Sequence, residues 1–213
     1  MENIIVGLDI GTTKVCAVVA SMDENGRINV LGLGRSLSEG MMRGVVTHID
    51  KTIKSVTTAV AEAQAQSGVA IKSVIVGIAG DHIQSFQSRG VIGISGSDHE
   101  VTQADIDRLI EDTKRVALPT DRKIIHVIPQ EFIIDGQDGV YDPLGMSGVR
   151  MEANVHIITG LVSAAQNIYK CVQRAGLEVS DMVLEPLASS YAVLDDEEKE
   201  VGIALLDIGG ASD

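Results

Sequence analysis

The chain begins with short apolar runs that are separated by polar residues. The runs over 3–8 and 15–20 are almost continuous, and such runs are typical of buried strands. Asn25 and Gly26 then predict a hairpin turn, because both residues tolerate positive φ, and a third strand follows over 27–33. The pattern therefore predicts three antiparallel strands in succession.

Helical periodicity replaces these runs in the next segment. Thr47 and Asp50 have the spacing of a capping box, and Gly68 supplies a stop signal. A buried strand over 73–79 follows, so the predicted order is three strands, a helix and a strand. The apolar face of the predicted helix consists of Ile49, Ile53, Val56, Val60 and Ala63.

The pattern changes character between residues 83 and 160. Residues 83–95 alternate polar and apolar side chains, as a half-exposed pair of strands would. Thr102 and Asp105 predict the cap of a helix centred on 103–117. Two further strands are predicted over 123–134, where Pro129 favours a sheet edge or a bulge, and over 153–159. This block is therefore predicted to be a small α+β insertion with its own sheet and one helix.

The first pattern returns at Ser163, which is a candidate helix cap. A stop at Gly176 and a proline at 186, in the first turn of a second helix, mark further boundaries. The elements predicted from here on are a helix over 164–175, a strand over 182–184, a helix over 186–194, a solvated acidic loop over 195–200 and a strand over 202–206.

The composition fits a folded chain and narrows the classes of function. Of the 213 residues, 45% are hydrophobic and 2% are aromatic, so the core must consist of Val, Ile, Leu and Ala. The formal net charge of −13 argues against nucleic-acid binding, which requires clustered Lys and Arg. Cys16 and Cys171 have no CxxC partner and are predicted to be buried free thiols. A basic leader and an apolar run of about 18 residues are both missing, so a cytoplasmic chain is expected.

Two segments some 200 residues apart share one pattern, in which an apolar strand ends in Asp, a glycine turn and small hydroxyl residues. The two segments are 6–13, which contains Asp9, and 204–212, which contains Asp207. Glycine lets the backbone approach a phosphate, and turn N–H groups can point at it. A carboxylate repels phosphate but suits Mg²⁺, which is often held through water. The first segment alone could be a plain hairpin turn, whereas the repeated pattern predicts a clamp for a triphosphate.

The two segments resemble the phosphate loops of the actin, Hsp70 and sugar-kinase superfamily. The residues at 184–191 (LEPLASSY) resemble its connecting segment, in which an acidic or amide residue orients the attacking water, and Glu185 takes that position. A structural alternative is a glutamate stabilised by the dipole at a helix N-terminus. The resemblance implies phosphate binding by Gly11, Thr12, Thr13, Lys14, Gly209, Gly210, Ala211 and Ser212, and Mg²⁺ binding by Asp9 and Asp207.

Three longer strings resemble the FtsA family of actin-like bacterial cell division proteins. They are GLDIGTTKVCAVVA, IHVIPQEFIIDGQDGVYDPLGMSGVRMEANVHIITG and LEPLASSYAVLDDEEKE. The second phosphate loop departs from the family, because DIGGASD is one residue shorter than the usual DIGGGTTD. The resemblance implies an α/β, ribonuclease-H-like actin fold that is incomplete and carries a small α+β insertion. The implied parts are 1–82 and 162–200 as subdomain 1A, 83–161 as the inserted subdomain 1C, and 201–213 as the truncated start of subdomain 2A.

The same resemblance implies a function. Such a protein binds ATP and Mg²⁺, is at most a slow ATPase, tethers the FtsZ ring to the membrane, polymerises and recruits later division proteins. It would lie in the cytoplasm at the inner face of the membrane, at the septum, with a membrane helix beyond this chain. The 213-residue chain itself is expected to bind ATP weakly. Two alternatives are a phosphotransferase of the sugar-kinase type and an interaction fragment that never binds nucleotide.

Overall fold

The computed structural model describes residues 3–96 and 98–210, without the side chain of Asn3. The strands are β1 (Asn3–Ile10), β2 (Lys14–Met22), β3 (Ile28–Leu37), β4 (Met41–Met42), β5 (Val45–Val46), β6 (Ser73–Ile78), β7 (Gln84–Gly93), β8 (Arg122–Ile134), β9 (Gln137–Val140), β10 (Arg150–Leu161) and β11 (Glu178–Leu184). The helices are α1 (Ile49–Ser67), α2 (Gln103–Thr113), α3 (Val162–Arg174), α4 (Glu185–Val193) and α5 (Asp196–Val201).

Two compact units make up the chain. The first combines Met1–His82 with Val162–Asp213, and the second is Ile83–Leu161. Naming these parts as subdomains 1A, 1C and 2A stays a prediction. Across the described residues, no helix is both long enough and apolar enough to cross a membrane.

The first unit is built on a five-stranded sheet with the order β11-β6-β1-β2-β3. β1, β2 and β3 pair antiparallel, while β6 lies parallel to β1 and β11 parallel to β6. The predicted succession of three antiparallel strands is therefore confirmed. In the first hairpin only Gly26 has a positive φ, because the Asp23 side chain accepts hydrogen bonds from the N–H groups of Asn25 and Arg27 and holds the turn.

Helix α1 has the predicted apolar face and the predicted stop, but not the predicted start. Gly68 ends the helix with a φ of 69°. His48 occupies the cap position and makes no side-chain cap bond, so the expected Thr47 cap was wrong. Thr47 instead donates a hydrogen bond from Oγ1 to the carbonyl oxygen of Gly40. That bond anchors the loop before the helix, which also contains the unpredicted pair β4 and β5.

Helix α1 packs directly on the backbone of the edge strand β3. A Cβ added at Gly34 would lie 1.8 Å from the carbonyl oxygen of Ala59, so only glycine permits this approach. At the same contact, Gln66 and Glu62 accept hydrogen bonds from the backbone N–H groups of Leu33 and Arg35, at 3.1 Å and 2.7 Å. Side chains of the helix thus occupy part of the outer edge of the sheet.

The second unit has its own four-stranded sheet, with the order β7-β10-β8-β9, and one helix, α2, within its described residues. The predicted capping box of Thr102 and Asp105 is confirmed. A single strand, β7, replaces the expected strand pair over 83–95. Pro129 lies at a register shift between β8 and β10, so the predicted bulge is confirmed. The core comprises Ile94, Val101, Leu109, Phe132, Ile134, Val140, Met151, Ala153, Val155 and Ile157.

Two buried carboxylates stabilise the second unit. Burial raises the pKa of Asp105, but the hydrogen bonds that it accepts from the backbone and hydroxyl groups of Ser95 and Thr102 outweigh this effect and lower the pKa below its ordinary value. Glu152 has a side-chain exposure of 3% and lies between Arg89 and Arg150. The two arginines compensate the buried charge and lower the pKa of Glu152.

The last part of the first unit differs most from the predictions. α3 begins at Val162, so Ser163 lies in its first turn rather than at its cap. Pro186 lies in the first turn of α4, as predicted. The acidic segment is the short helix α5 instead of a loop, because Asp195 and Glu198 form a capping box. The strand expected over 202–206 is absent from the described structure, where these residues are exposed and pair with no strand.

Candidate functional site

A cleft of about 760 Å³ lies on one face of the sheet in the first unit. Helix α1 packs on β2 and β3, and α3 packs on β11 and on α1. The cleft is lined by the ends of β1 and β6, the turn between β1 and β2, the loop between β4 and β5, the start of α4 and the segment 207–210. Both predicted phosphate segments and Glu185 therefore reach the same cleft.

The first predicted phosphate segment is a tight turn held between two strands. Asp9 lies near the end of β1, opposite Cys16 of β2. The N–H of Gly11 donates to the carbonyl oxygen of Lys14 at 3.0 Å and closes the turn. Thr12 is half-buried, whereas Thr13 and Lys14 are exposed to the cleft side. The pairing of β1 with β2 and the closing bond thus fix the backbone from Asp9 to Lys14.

The second predicted segment reaches the first one without belonging to a strand. A Cβ added at Gly210 would lie 2.2 Å from Cγ2 of Thr13, so the two segments touch. Asp207 is exposed and accepts a hydrogen bond from Oγ of Ser189 at 3.4 Å. Gly209 also lines the cleft. The predicted ligands Ala211 and Ser212 lie outside the described residues.

Glu185 occupies the first position of α4 and is half-buried in the cleft. Its side chain lies over Gly77 of β6, where an added Cβ would be 2.8 Å from its Cγ and 2.9 Å from its Oε1. Burial, followed by the negative charges of Asp9 and Asp207, raises the pKa of Glu185 to about 7. A carboxyl group with such a pKa can exchange a proton with water near neutral pH.

The three carboxyl groups influence one another. Burial raises the pKa of Asp9, Lys14 opposes this effect, and Asp207 adds to it. Within residues 3–96 and 98–210, no group of three or more Asp, Glu, His or Cys side chains is arranged to ligate a metal directly. A cation between Asp9 and Asp207 would relieve the repulsion that raises the pKa of Asp9, so the charge distribution suits a hydrated divalent ion.

Several residues of the cleft were not predicted from the sequence. Gly77 and Ser189 contact predicted site residues, and the strand-interior position of Gly77 was the signal that could have singled it out. Gly44 and Gly80 form a close contact between the β4–β5 loop and the end of β6, since a Cβ on Gly44 would lie 2.0 Å from the carbonyl oxygen of Ala79. Both glycines have positive φ. This wall of the cleft depends on two backbones touching.

Comparison with known proteins adds independent information. Residues 80–159 match the model of the SHS2 domain inserted in FtsA. The chain is 50% identical over 210 residues to the cell division protein FtsA of Pseudomonas aeruginosa, and 40% and 38% identical over 211 residues to those of Escherichia coli K12 and Bacillus subtilis 168. Each alignment covers 99% of this chain and 48–50% of the relative. The resemblance to the FtsA family is thereby confirmed.

The match to FtsA is limited in extent. The chain spans about half the length of the curated relatives it matches. The SHS2 match shares residues 83–159 with the second structural unit, so the inserted FtsA domain and the α2-containing sheet are the same part of the chain.

A solved structure supports the fold class. The chain resembles a chain of the PilM-PilN type IV pilus biogenesis complex with a TM-score of 0.62 and 14% identity, over 88% of this chain and 49% of the other. At this identity the likeness concerns the fold alone. The predicted α/β actin-like fold with an inserted domain is confirmed for this FtsA-like chain.

Proposed function

We propose that the cleft of the first unit binds the phosphates of ATP together with Mg²⁺. The proposal rests on one observation, which is that two segments distant in sequence and Glu185 line the same cleft. The N–H groups and the hydroxyls of Thr12 and Thr13 supply donors for phosphate. Asp9 and Asp207 supply carboxylates for the hydrated cation, which would neutralise phosphate charge when bound.

Glu185 would act on a water molecule in this site. Its raised pKa makes the Glu185 carboxylate a stronger base than an ordinary glutamate, so that it can accept a proton from water near neutral pH. We infer at most slow hydrolysis of ATP by this group. Glu185 is half-buried at the start of α4, and this position supports the proposal that its carboxyl group holds a water molecule in the cleft.

We further propose that this chain acts in bacterial cell division, as the named relatives do. The finer assignments come from the family resemblance: tethering of FtsZ to the membrane, polymerisation, recruitment of later division proteins, and a cytoplasmic location at the inner face of the membrane at the septum. Membrane contact through a C-terminal amphipathic helix is implied by the same family resemblance.

Nuclear magnetic resonance can test nucleotide binding even when it is weak. With ATP–Mg²⁺ added up to about 10 mM, the amide signals of 11–14 should shift in a saturable way, because millimolar binding still gives fast exchange. Asp9→Asn should remove the Mg²⁺-dependent part of the shifts, whereas Glu24→Gln, on the exposed first hairpin, should not. Unchanged 11–14 signals at full titration would contradict nucleotide binding by this chain.

The same experiment separates the alternatives. A phosphotransferase of the sugar-kinase type should show further shifts when a sugar is added with ATP. An interaction fragment should show none with either ligand. Signals of residues 83–161 serve as an internal control, because the cleft is lined by the first unit alone.

A second candidate function, protein–protein contact, is proposed for the second unit. It is favoured by large apolar side chains exposed in one loop, namely Tyr141 at 82%, Leu144 at 53% and Val149 at 62%. Arg150 is less suitable for a test, because it is bonded to buried Glu152 and its charge reversal would destabilise the sheet. Tyr141→Ser is the cleaner variant. It should reduce self-association in sedimentation velocity with an unchanged circular dichroism spectrum, and unaltered self-association would exclude Tyr141 from the contact.

A further inference from the structure

Gly77 occupies an unusual place for a glycine. It is the next-to-last residue of β6, paired with Val183 of β11, and its side of the sheet lines the cleft. Glycine in a strand lowers stability, because it restricts the unfolded chain least and offers no side chain to pack. The φ of Gly77 is not positive, so turn geometry does not require glycine here. A different constraint must favour it.

The space above Gly77 is filled by the side chain of Glu185. The three heavy atoms nearest to an added Cβ are Cγ, Oε1 and Cδ of Glu185, at 2.8, 2.9 and 3.3 Å. A real Cβ does not approach other atoms so closely, so any larger residue would displace this side chain. We propose that Gly77 is a positioning residue for Glu185, and that the missing side chain on β6 sets where the Glu185 carboxyl group lies in the cleft.

The contact predicts a specific effect of substitution. All three neighbours belong to one flexible side chain, so Gly77→Ala can be accommodated by moving Glu185 without moving the backbone. If the Glu185 side chain moves off the sheet, its carboxyl group becomes more exposed to water and lies farther from the charges of Asp9 and Asp207. The proposal rests on the proposed function in one respect, which is that Glu185 acts on a water molecule. The contact between Gly77 and Glu185 can be measured without nucleotide.

The neighbouring strand offers a matched control. Gly7 of β1 lies on the same face of the sheet, opposite Ile75 of β6, and also lines the cleft. A Cβ added at Gly7 meets nothing within 4 Å. Gly7→Ala therefore adds the same methyl group to the same face without touching Glu185.

The decisive measurement is the titration of Glu185 by carbon-detected resonance in the 213-residue chain labelled at glutamate Cδ. The signal is assigned by its loss in Glu185→Gln. In the wild type the midpoint should lie at about 7. Gly77→Ala should lower it by about one unit or more towards the ordinary 4.5, while Gly7→Ala should leave it in place. An unchanged midpoint in Gly77→Ala, or an equal shift in Gly7→Ala, overturns the proposal.

A thermodynamic cycle covers the case in which Gly77→Ala is too unstable to titrate. The fall in urea midpoint caused by Gly77→Ala should be largely suppressed when Glu185→Ala is already present, because the overlapping atoms are gone. An equal fall in both backgrounds would show a purely backbone effect and overturn the positioning role. Neither measurement uses ATP, so failure of nucleotide binding and failure of this proposal give different results.

Discussion

The segments that contain Asp9 and Asp207 have nearly the same sequence and very different surroundings. Leu8, which precedes the first aspartate, is 2% exposed, whereas Leu206, which precedes the second, is 82% exposed. β1 lies between β2 and β6, and the residues before Asp207 pair with no strand in the described structure. The same pattern of apolar residues, aspartate and glycine therefore forms a strand only where neighbouring strands satisfy its backbone.

This difference also separates the two aspartates electrostatically. The Asp9 carboxylate is partly buried, so its pKa is raised mainly by burial. Asp207 stays exposed to water, accepts a hydrogen bond from Ser189, and raises the pKa of Asp9 and Glu185 through its charge. One half of the proposed clamp is preorganised by the sheet, and the other half touches it through Gly210 and Thr13.

The largest expected effect comes from truncating the leucine before each aspartate. Leu8→Ala should lower the free energy of unfolding by about 2–5 kcal/mol, because it removes buried methyl groups and leaves a cavity. Leu206→Ala should change it by no more than about 0.5 kcal/mol, since the side chain is already in water. Urea unfolding of the two variants gives both values. Equal losses of unfolding free energy in the two variants would mean that the second segment is packed as the first is, and would contradict the difference in their surroundings.

A medium effect is expected from the pH dependence of stability. Glu185 has its ordinary pKa of 4.5 when unfolded and a pKa of about 7 when folded. Between these values the folded chain keeps a proton that the unfolded chain releases, so stability should fall as pH rises from about 4.5 to 7. In Glu185→Gln, the decrease in the free energy of unfolding over this pH range should be smaller by on the order of 2 kcal/mol. Urea unfolding at several pH values measures this difference. Parallel curves for both proteins would show that Glu185 titrates normally.

The smallest expected effect is the difference between Asp9 and Asp207 in how far each raises the pKa of Glu185. Asp9→Asn and Asp207→Asn should each lower the pKa of Glu185, because each removes a negative charge. Asp9 is the stronger of the two influences, so its substitution should give the larger shift, with the difference below about one unit. Titration of the labelled Glu185 carboxyl provides the measurement. A larger shift in Asp207→Asn would place the exposed segment closer to Glu185 than the rigid turn.

The sequence predicted the parts of the fold in which local pattern and tertiary context agree. The continuous apolar runs of β1 and β2 and the helical face of α1 have one stable arrangement each, so their periodicity was sufficient. The run at 202–206 carries the same signal but has no neighbouring strand in the described structure, and a strand is defined by its partners. The two-residue strands β4 and β5 are too short to show any periodicity.

Only part of the candidate site was likewise predictable from the sequence. Asp9 and Asp207 were found from a repeated pattern and Glu185 from a family resemblance, and the structure brings all three to one cleft. The raised pKa of Glu185 could not be foreseen, because it depends on burial and on charges from distant parts of the chain. Gly77 was overlooked because a glycine contributes through the space it leaves, which sequence alone does not display.

The helix side chains on β3 have a consequence for how large this sheet can become. An exposed strand edge invites another chain to add a strand, and that reaction underlies many aggregates. Here the amide oxygen of Gln66 and the carboxylate of Glu62 already hold the N–H groups of Leu33 and Arg35. A foreign strand would have to break both bonds and push α1 aside, while α1 is fixed to the strand backbone at Gly34. Along this stretch of β3, growth of the sheet is blocked by its own helix.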